Sequence, residues 1–272
     1  MNRYLQLFRL GNCLIGMIGV LTGALIASGL DAADHLEGIL IASFVVTWFI
    51  AGGNALNDYV DRDIDRTAHP ERPLPSGRMR PKDALHAGMI AFIVSIAASF
   101  LLWDVVPIVI VVVACTLMFS YELFLKQRGF VGNVTIAVLI GMLFLLGGAV
   151  VQNIGSVVII ACMAALVNIG REIAKDIEDM GGDKGRRTLP MRIGVKNSCI
   201  VASLMIMAGV ALSVWPIIEG TFGPLYYIIV AADAIFIYSS LIIFTCTRKT
   251  QKLCKYAMLV ALAAFILGAV YI

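Results

Sequence analysis

Charge is scarce in this chain. Asp, Glu, Lys and Arg make up 14% of its 272 residues, against 60% hydrophobic ones, and the mean hydropathy is +0.91. A soluble domain carries about 25% charged residues, so water is excluded as the main solvent. Paired cysteines are also missing. The six cysteines, Cys13, Cys115, Cys162, Cys199, Cys246 and Cys254, sit singly in or beside apolar runs. None forms a C-x-x-C unit, which argues against a disulfide framework or a thiolate metal site and makes them small apolar fillers. The three histidines, His35, His69 and His86, form no metal-ligand pair. Basic stripes are absent too. The net charge is only +3 and the arginines are interleaved with carboxylates, so nucleic acid is not an expected partner.

What is abundant is long apolar sequence. A spanning helix needs about 20 mostly apolar residues. Nine stretches approach that length, near 11–30, 38–57, 83–102, 105–121, 133–151, 156–174, 197–215, 224–246 and 255–272. They predict an all-α, multi-pass protein of the cell membrane. The first run is followed by further apolar runs rather than by a soluble domain, so it reads as a helix and not as a signal peptide.

The basic residues fix an expected orientation. All 21 lysines and arginines fall at the start of the chain or within 58–82, 122–132, 171–196 and 247–255. The alternate connections hold none and carry Asp31, Asp34, Glu37, Asp104 and Glu219. An excess of Lys and Arg in short cytoplasmic loops then predicts a cytoplasmic N-terminus, an external C-terminus and an odd number of spans. Two inside loops, 58–82 and 171–196, are long, and function is expected there.

Both long loops begin with aspartates at one spacing. The second helix ends Asn54-Ala-Leu-Asn57-Asp58-Tyr-Val-Asp61-Arg-Asp63-Ile-Asp65-Arg66. At about 100° per residue, Asn54, Asp58, Asp61 and Asp65 share one face if the helix runs on, while Asn57 and Asp63 point elsewhere. The sixth helix ends Arg171-Glu172-Ile-Ala-Lys175-Asp176-Ile-Glu178-Asp179-Met-Gly-Gly-Asp183. Asp176, Asp179 and Asp183 repeat the spacing, and Glu172 takes the place of Asn54. A single domain over 1–272 is expected, with duplicated helical halves bearing acidic motifs at 54–66 and 172–183.

Stacked carboxylates beside hydrocarbon are costly unless a cation offsets them. Hard oxygen ligands favour magnesium or calcium, with phosphate oxygens completing the shell. A solvated charged loop neutralised by Arg62, Arg66, Lys175 and Arg186 explains one cluster, but explains two matched ones less well. Cation transport would place carboxylates at mid-span, where Asn168 and Asp233 are the notable polar residues. For Asp233 a local hydrogen bond is the simpler expectation. Arg66, Arg72 and Lys175 beside the clusters suit a metal-bridged polyphosphate.

The motif Asn57-Asp58-x-x-Asp61-x-x-x-Asp65, followed by Arg72-Pro73-Leu74-Pro75-Ser76-Gly77, resembles the first signature of the UbiA-type intramembrane prenyltransferases. Lys175-Asp176-x-x-Asp179-x-x-Gly182-Asp183, followed by Thr188-Leu189-Pro190, resembles the second, and Tyr121, Lys126, Gly132 and Asn133 a weaker one between them. The resemblance implies a nine-helix bundle with a central cavity opening toward cytoplasm and membrane, and a lateral route for membrane lipids. It implies magnesium-dependent transfer of a polyprenyl group from its diphosphate. Carried over residue by residue, it puts Asp58, Asp61 and Asp65, with Asn54 and Asn57 beside them, in the first metal and diphosphate site. Asp176, Asp179 and Asp183 form the second, and Arg66, Arg72 and Lys175 contact the diphosphate. Of these, Asp58, Asp61, Asp176, Asp179 and Lys175 are the expected catalytic residues, with Tyr121 and Asn133 as substrate contacts.

Pro70-Glu71-Arg72-Pro73-Leu74-Pro75 together with Arg171-Glu172-x-x-Lys175-Asp176 is most like one archaeal branch of that family. Its members join geranylgeranyl diphosphate to an isoprenoid glyceryl phosphate acceptor, making digeranylgeranylglyceryl phosphate for ether lipids. That reading asks for a further phosphate contact, for which Lys126, Arg128 and Arg171 are candidates. Met180-Gly181-Gly182 departs from the branch, where a bulkier or acidic middle residue is usual. An aromatic acceptor, as in quinone, haem or chlorophyll synthesis, is the enzyme alternative. No histidine is placed as a general base, which leaves diphosphate oxygen or a cluster aspartate to take the proton. Tyr59 and Tyr121 read first as interfacial anchors.

Overall fold

The structure, a computed structural model, describes residues 2–180 and 188–271. These residues form helices and turns without a strand. In chain order the helices are α1 (Arg3–Phe8), α2 (Leu10–Ser28), α3 (Leu36–Val60), α4 (Arg62–Ala68), α5 (Pro81–Ser99), α6 (Val105–Ser120), α7 (Phe130–Val150), α8 (Val158–Asp179), α9 (Leu189–Ile193), α10 (Val195–Leu212), α11 (Trp215–Glu219), α12 (Ile229–Ile242) and α13 (Thr247–Val270).

Eight segments of the described residues are long and apolar enough to cross a membrane. The first, Leu10–Val60, has 51 residues. As one rod it would run about 75 Å, more than twice the thickness of a hydrocarbon core. It is divided by the tight turn Gly29–His35 into α2 and α3, which pack side by side. With that division the described residues form about nine helical legs. Gly29 makes the turn possible, with φ of 56° and ψ of −135°, a region that only glycine enters without strain.

The bundle is held by close packing rather than by exclusion from water, because lipid tails are as apolar as leucine. Large side chains such as Ile15, Ile93, Leu204 and Leu241 point outward and are exposed. That surface suits hydrocarbon. Inside, small residues let backbones meet. A Cβ on Gly23 would lie 2.5 Å from the Phe144 carbonyl oxygen, and one on Gly147 would lie 2.2 Å from that of Val20. These glycines seat α2 directly on α7, so the Gly19-x-x-x-Gly23 stripe serves contact within one chain.

Several boundaries differ from the apolar pattern. α13 starts at Thr247, because the polar stretch before Lys255 is itself helical, with Thr250 and Cys254 buried and the lysines outside. α8 runs to Asp179 and carries its charged tail as continuous helix. α3 does not run on: it ends at Val60, Asp61 adopts φ of −84° and ψ of 3°, and the chain restarts as α4.

Candidate active site

The break at Asp61 redistributes the first acidic motif. Asp58 is buried and receives the Arg9 guanidinium from the junction of α1 and α2. Arg72 Nη1 lies 2.6 Å from Asp65 Oδ2 and 3.6 Å from Asp58 Oδ1. Asp65 is buried as well, so two arginines match two sheltered carboxylates. Asn54 stays on this side, donating to the Phe8 carbonyl at 3.0 Å.

Asp61 turns away from that face. Its Oδ2 takes the Lys126 ammonium at 2.5 Å and the Asn57 amide at 3.3 Å. The expected convergence of Asn54, Asp58, Asp61 and Asp65 is therefore corrected, and Asn57, expected to point elsewhere, joins Asp61. The reason is physical: a helical wheel holds only while the helix is unbroken, and this one stops one residue before Asp61.

Arg72 owes its position to the loop after α4. Ser76 donates its backbone N–H at 3.1 Å and its hydroxyl at 2.7 Å to the Arg72 carbonyl, and Pro73, Leu74 and Met79 are buried beneath. The prolines thus shape a packed turn that returns one arginine to the aspartates. Arg66 is exposed and pairs with Asp63 at 3.7 Å, and Tyr59 carries the Arg62 guanidinium on its ring.

After Ser120 the helix widens into a π-helical turn, Tyr121–Leu125, and then tightens over Lys126–Arg128. Such turns often mark functional sites, because they re-aim side chains. Here Glu122 is buried, 3.1 Å from Lys126 Nζ, and accepts from the Asn57 amide at 3.1 and 3.2 Å. One ammonium thus bridges Asp61 and Glu122.

Lys126 also lines a small polar cleft. Tyr121, Asn133, Glu172, Lys175, Asp176, Asp179 and Thr188 form the rest of its polar wall, and Gly129 and Gly132 complete it. Asn133 donates to Asp176 Oδ2 at 2.8 Å, tying α7 to α8. Lys126 therefore joins Asp61, just past the end of α3, to the cleft that the end of α8 lines. Arg128 is exposed and outside this lining, and Arg171 instead pairs with Glu172 at 2.5 Å. Asp183, expected as a sixth carboxylate, lies outside the described residues, as do Gly181, Gly182, Lys184, Arg186 and Arg187.

No three acidic, histidine or cysteine side chains among the described residues form a ready-made ion cage. That donor set still fits magnesium, which keeps several waters and takes one or two carboxylates together with substrate phosphate oxygens. Asp176 and Asp179 in one cleft wall are two carboxylates of that kind.

A separate, small apolar pocket lies between α3, α6 and α7, lined by Val45, Phe49, Val111, Ala114, Met142 and Leu146 among others. Nine residues of α3 separate Asp58 from Phe49 and nine of α7 separate Asn133 from Met142, a depth of about 13 Å below the acidic tips. The mid-span polar residues are locally satisfied. Asn168 donates to the Ala164 carbonyl at 2.8 Å, and Ser213 donates to Asp233 at 2.7 Å. Asn168 carries no charge, and Asp233 takes the local hydrogen bond that its position predicts.

Three participants escaped the sequence. Arg9 looks like one more basic residue of a cytoplasmic end, and its partner lies 49 positions away. Thr188 carries no local signal beyond its place in a motif. Glu122 could have been found, since Glu and Lys four apart on one helix are a recognised pair.

Comparison with known proteins places this geometry. The model of the UbiA prenyltransferase family matches residues 16–270. The digeranylgeranylglyceryl phosphate synthase of Methanosphaera stadtmanae is 36% identical over 99% of this chain and 100% of its own. That of Thermococcus kodakarensis is 36% identical over 98% of this chain and 97% of its own. A solved structure concerned with digeranylgeranylglyceryl phosphate synthase in membranes superposes with a TM-score of 0.87 at 35% identity, covering 98% of each chain. A UbiA homologue from Archaeoglobus fulgidus bound to GPP and Mg2+ shares the fold, with a TM-score of 0.74 at 14% identity over 99% of each chain.

Proposed function

The chain belongs to the UbiA prenyltransferase family, and from that premise we propose that it is a multi-pass membrane enzyme of archaeal ether-lipid synthesis. It transfers the geranylgeranyl group of geranylgeranyl diphosphate to the glycerol hydroxyl of geranylgeranylglyceryl phosphate, giving digeranylgeranylglyceryl phosphate and diphosphate. The observation that carries this reading is Lys126, 2.5 Å from Asp61 and in the wall of the cleft that holds Asp176 and Asp179. Full-length likeness to digeranylgeranylglyceryl phosphate synthases supports the acceptor.

The donor's diphosphate lies in the polar cleft and its tail extends toward the apolar pocket between α3, α6 and α7. Asp61, Asp176 and Asp179, with Asp58, Asp65 and Asp183 of the same motifs, are the carboxylates for magnesium. Bound magnesium would supply charge neutralisation of the leaving diphosphate. Lys126 and Lys175 donate to its oxygens, Asn133 orients Asp176, and Tyr121 closes the cleft wall. Arg9 and Arg72 pair with Asp58 and Asp65 and fix their positions. Donors aimed at the departing oxygens favour heterolysis, since they stabilise charge that develops only in the transition state. The C1–O bond breaks with its electron pair going to diphosphate. The glycerol oxygen forms the new bond to C1, and its proton passes to diphosphate oxygen. The apolar helices keep water from capturing the allylic cation. The basic loops that frame the cleft face the cytoplasm, with the C-terminus outside, and 1–272 act as one domain whose halves each supply an acidic motif.

Purified protein supplied with geranylgeranyl diphosphate, magnesium and either geranylgeranylglyceryl phosphate or 4-hydroxybenzoate tests the reading. The diether phosphate is expected with the first acceptor, and a chelator should stop its formation. Alkylation of the aromatic acceptor alone would overturn the assignment.

A further inference from the structure

Thr188 opens α9 at its N-cap position, where a threonine hydroxyl usually accepts a hydrogen bond from the second or third N–H of the helix. Here it does not. The second helical residue is Pro190, which has no N–H, and the N–H of Met191 goes to the Thr188 carbonyl at 3.2 Å. Thr188 is 3% exposed, and its hydroxyl oxygen has no hydrogen-bond partner among the described residues. A buried hydroxyl without a partner is unfavourable and uncommon in a native fold. That leaves the hydroxyl able to take a partner from outside the chain.

The residue stands in the wall of the polar cleft, with Lys126, Asn133, Lys175, Asp176 and Asp179 around it. Its neighbours in that wall are the groups assigned above to magnesium and diphosphate. We propose that the Thr188 hydroxyl is a substrate contact that donates a hydrogen bond to an oxygen of the donor's diphosphate. This rests on the reading of the cleft as the diphosphate site and adds a neutral donor to it. An O–H donor suits that place, because it binds the anion without a charge that would compete with the neighbouring aspartates for magnesium.

Thr188→Val tests the contact, since valine keeps the shape and removes only the hydroxyl function. The KM for geranylgeranyl diphosphate is expected to rise about tenfold, as for loss of one hydrogen bond to a charged group. The acceptor KM should stay unchanged. Thermal protection by magnesium and inorganic diphosphate should weaken in parallel, while the ligand-free Tm holds or rises because an unsatisfied polar group has gone. Thr188→Ser should restore donor binding. A lower ligand-free Tm with both substrates weakened equally would mark Thr188 as structural and overturn the proposal, as would an unchanged donor KM in Thr188→Val. Inorganic diphosphate needs no acceptor, so the protection difference would persist even if the acceptor assignment failed.

Discussion

Asp61→Asn and Asp179→Asn should each lower kcat/KM by about a thousandfold or more while leaving the protein folded. Removing one preorganised donor to a developing charge costs about a hundred- to a thousandfold in rate, and a carboxylate that anchors a divalent cation is worth at least as much. Asparagine keeps the shape at both places. At position 61 the amide oxygen can still accept from Lys126 and Asn57, whose partners lie at 2.5 and 3.3 Å in the aspartate form. Asp179 is exposed at the end of α8, so its replacement disturbs no core. Asp63→Asn is the control. Its ion pairs with Arg62 and Arg66, at 3.9 and 3.7 Å, are exposed, and pairs of that kind contribute about 0–1 kcal/mol. Rates measured beside gel filtration and Tm in detergent check all three, and near-normal turnover in either of the first two would contradict a role for both motifs.

Lys126→Met has a different expected signature, because the lysine supports the fold as well as the cleft. Its ammonium lies between Asp61 and Glu122, all three with side chains no more than 15% exposed. Taking one partner from a buried ion pair costs about 3–5 kcal/mol, since the remaining charge is left without compensation. Lys126→Met should therefore lower both Tm and turnover. Adding Glu122→Gln removes the stranded charge, and the double variant should recover much of the Tm. Turnover should remain down about a hundredfold, because the cation that touches the diphosphate is still missing. Recovery of full activity in the double variant would show that Lys126 acts only as a counter-ion to Glu122.

The bundle was readable because lipid imposes its length on the chain. Apolar runs of about 20 residues separated by basic loops leave little freedom, and α2, α5, α7 and α10 begin within about three residues of their runs. The two acidic motifs were readable because aspartates recur at one spacing at the inner ends of two apolar helices. Their internal geometry was not. A wheel through Asn54 and Asp65 assumes one helix, whereas the chain breaks at Asp61 and sends that carboxylate to Lys126, 65 positions away. Arg9 was hidden for the same reason: positive-inside topology explains any arginine at such an end, and pairing across the bundle leaves no local period. The π-helical turn after Ser120 rests on a backbone choice that Tyr121–Leu125 does not advertise in composition.

One diphosphate held between the two aspartate motifs is what the proposed reaction requires. Cryo-electron microscopy of the protein in nanodiscs with magnesium and a non-hydrolysable thio analogue of geranylgeranyl diphosphate measures this most directly. The predicted density places the phosphorus atoms in the cleft, between Asp61 and Lys126 on one side and Asp176 and Asp179 on the other. Density bound outside the cleft, or in contact with just one of the two aspartate motifs, would contradict it.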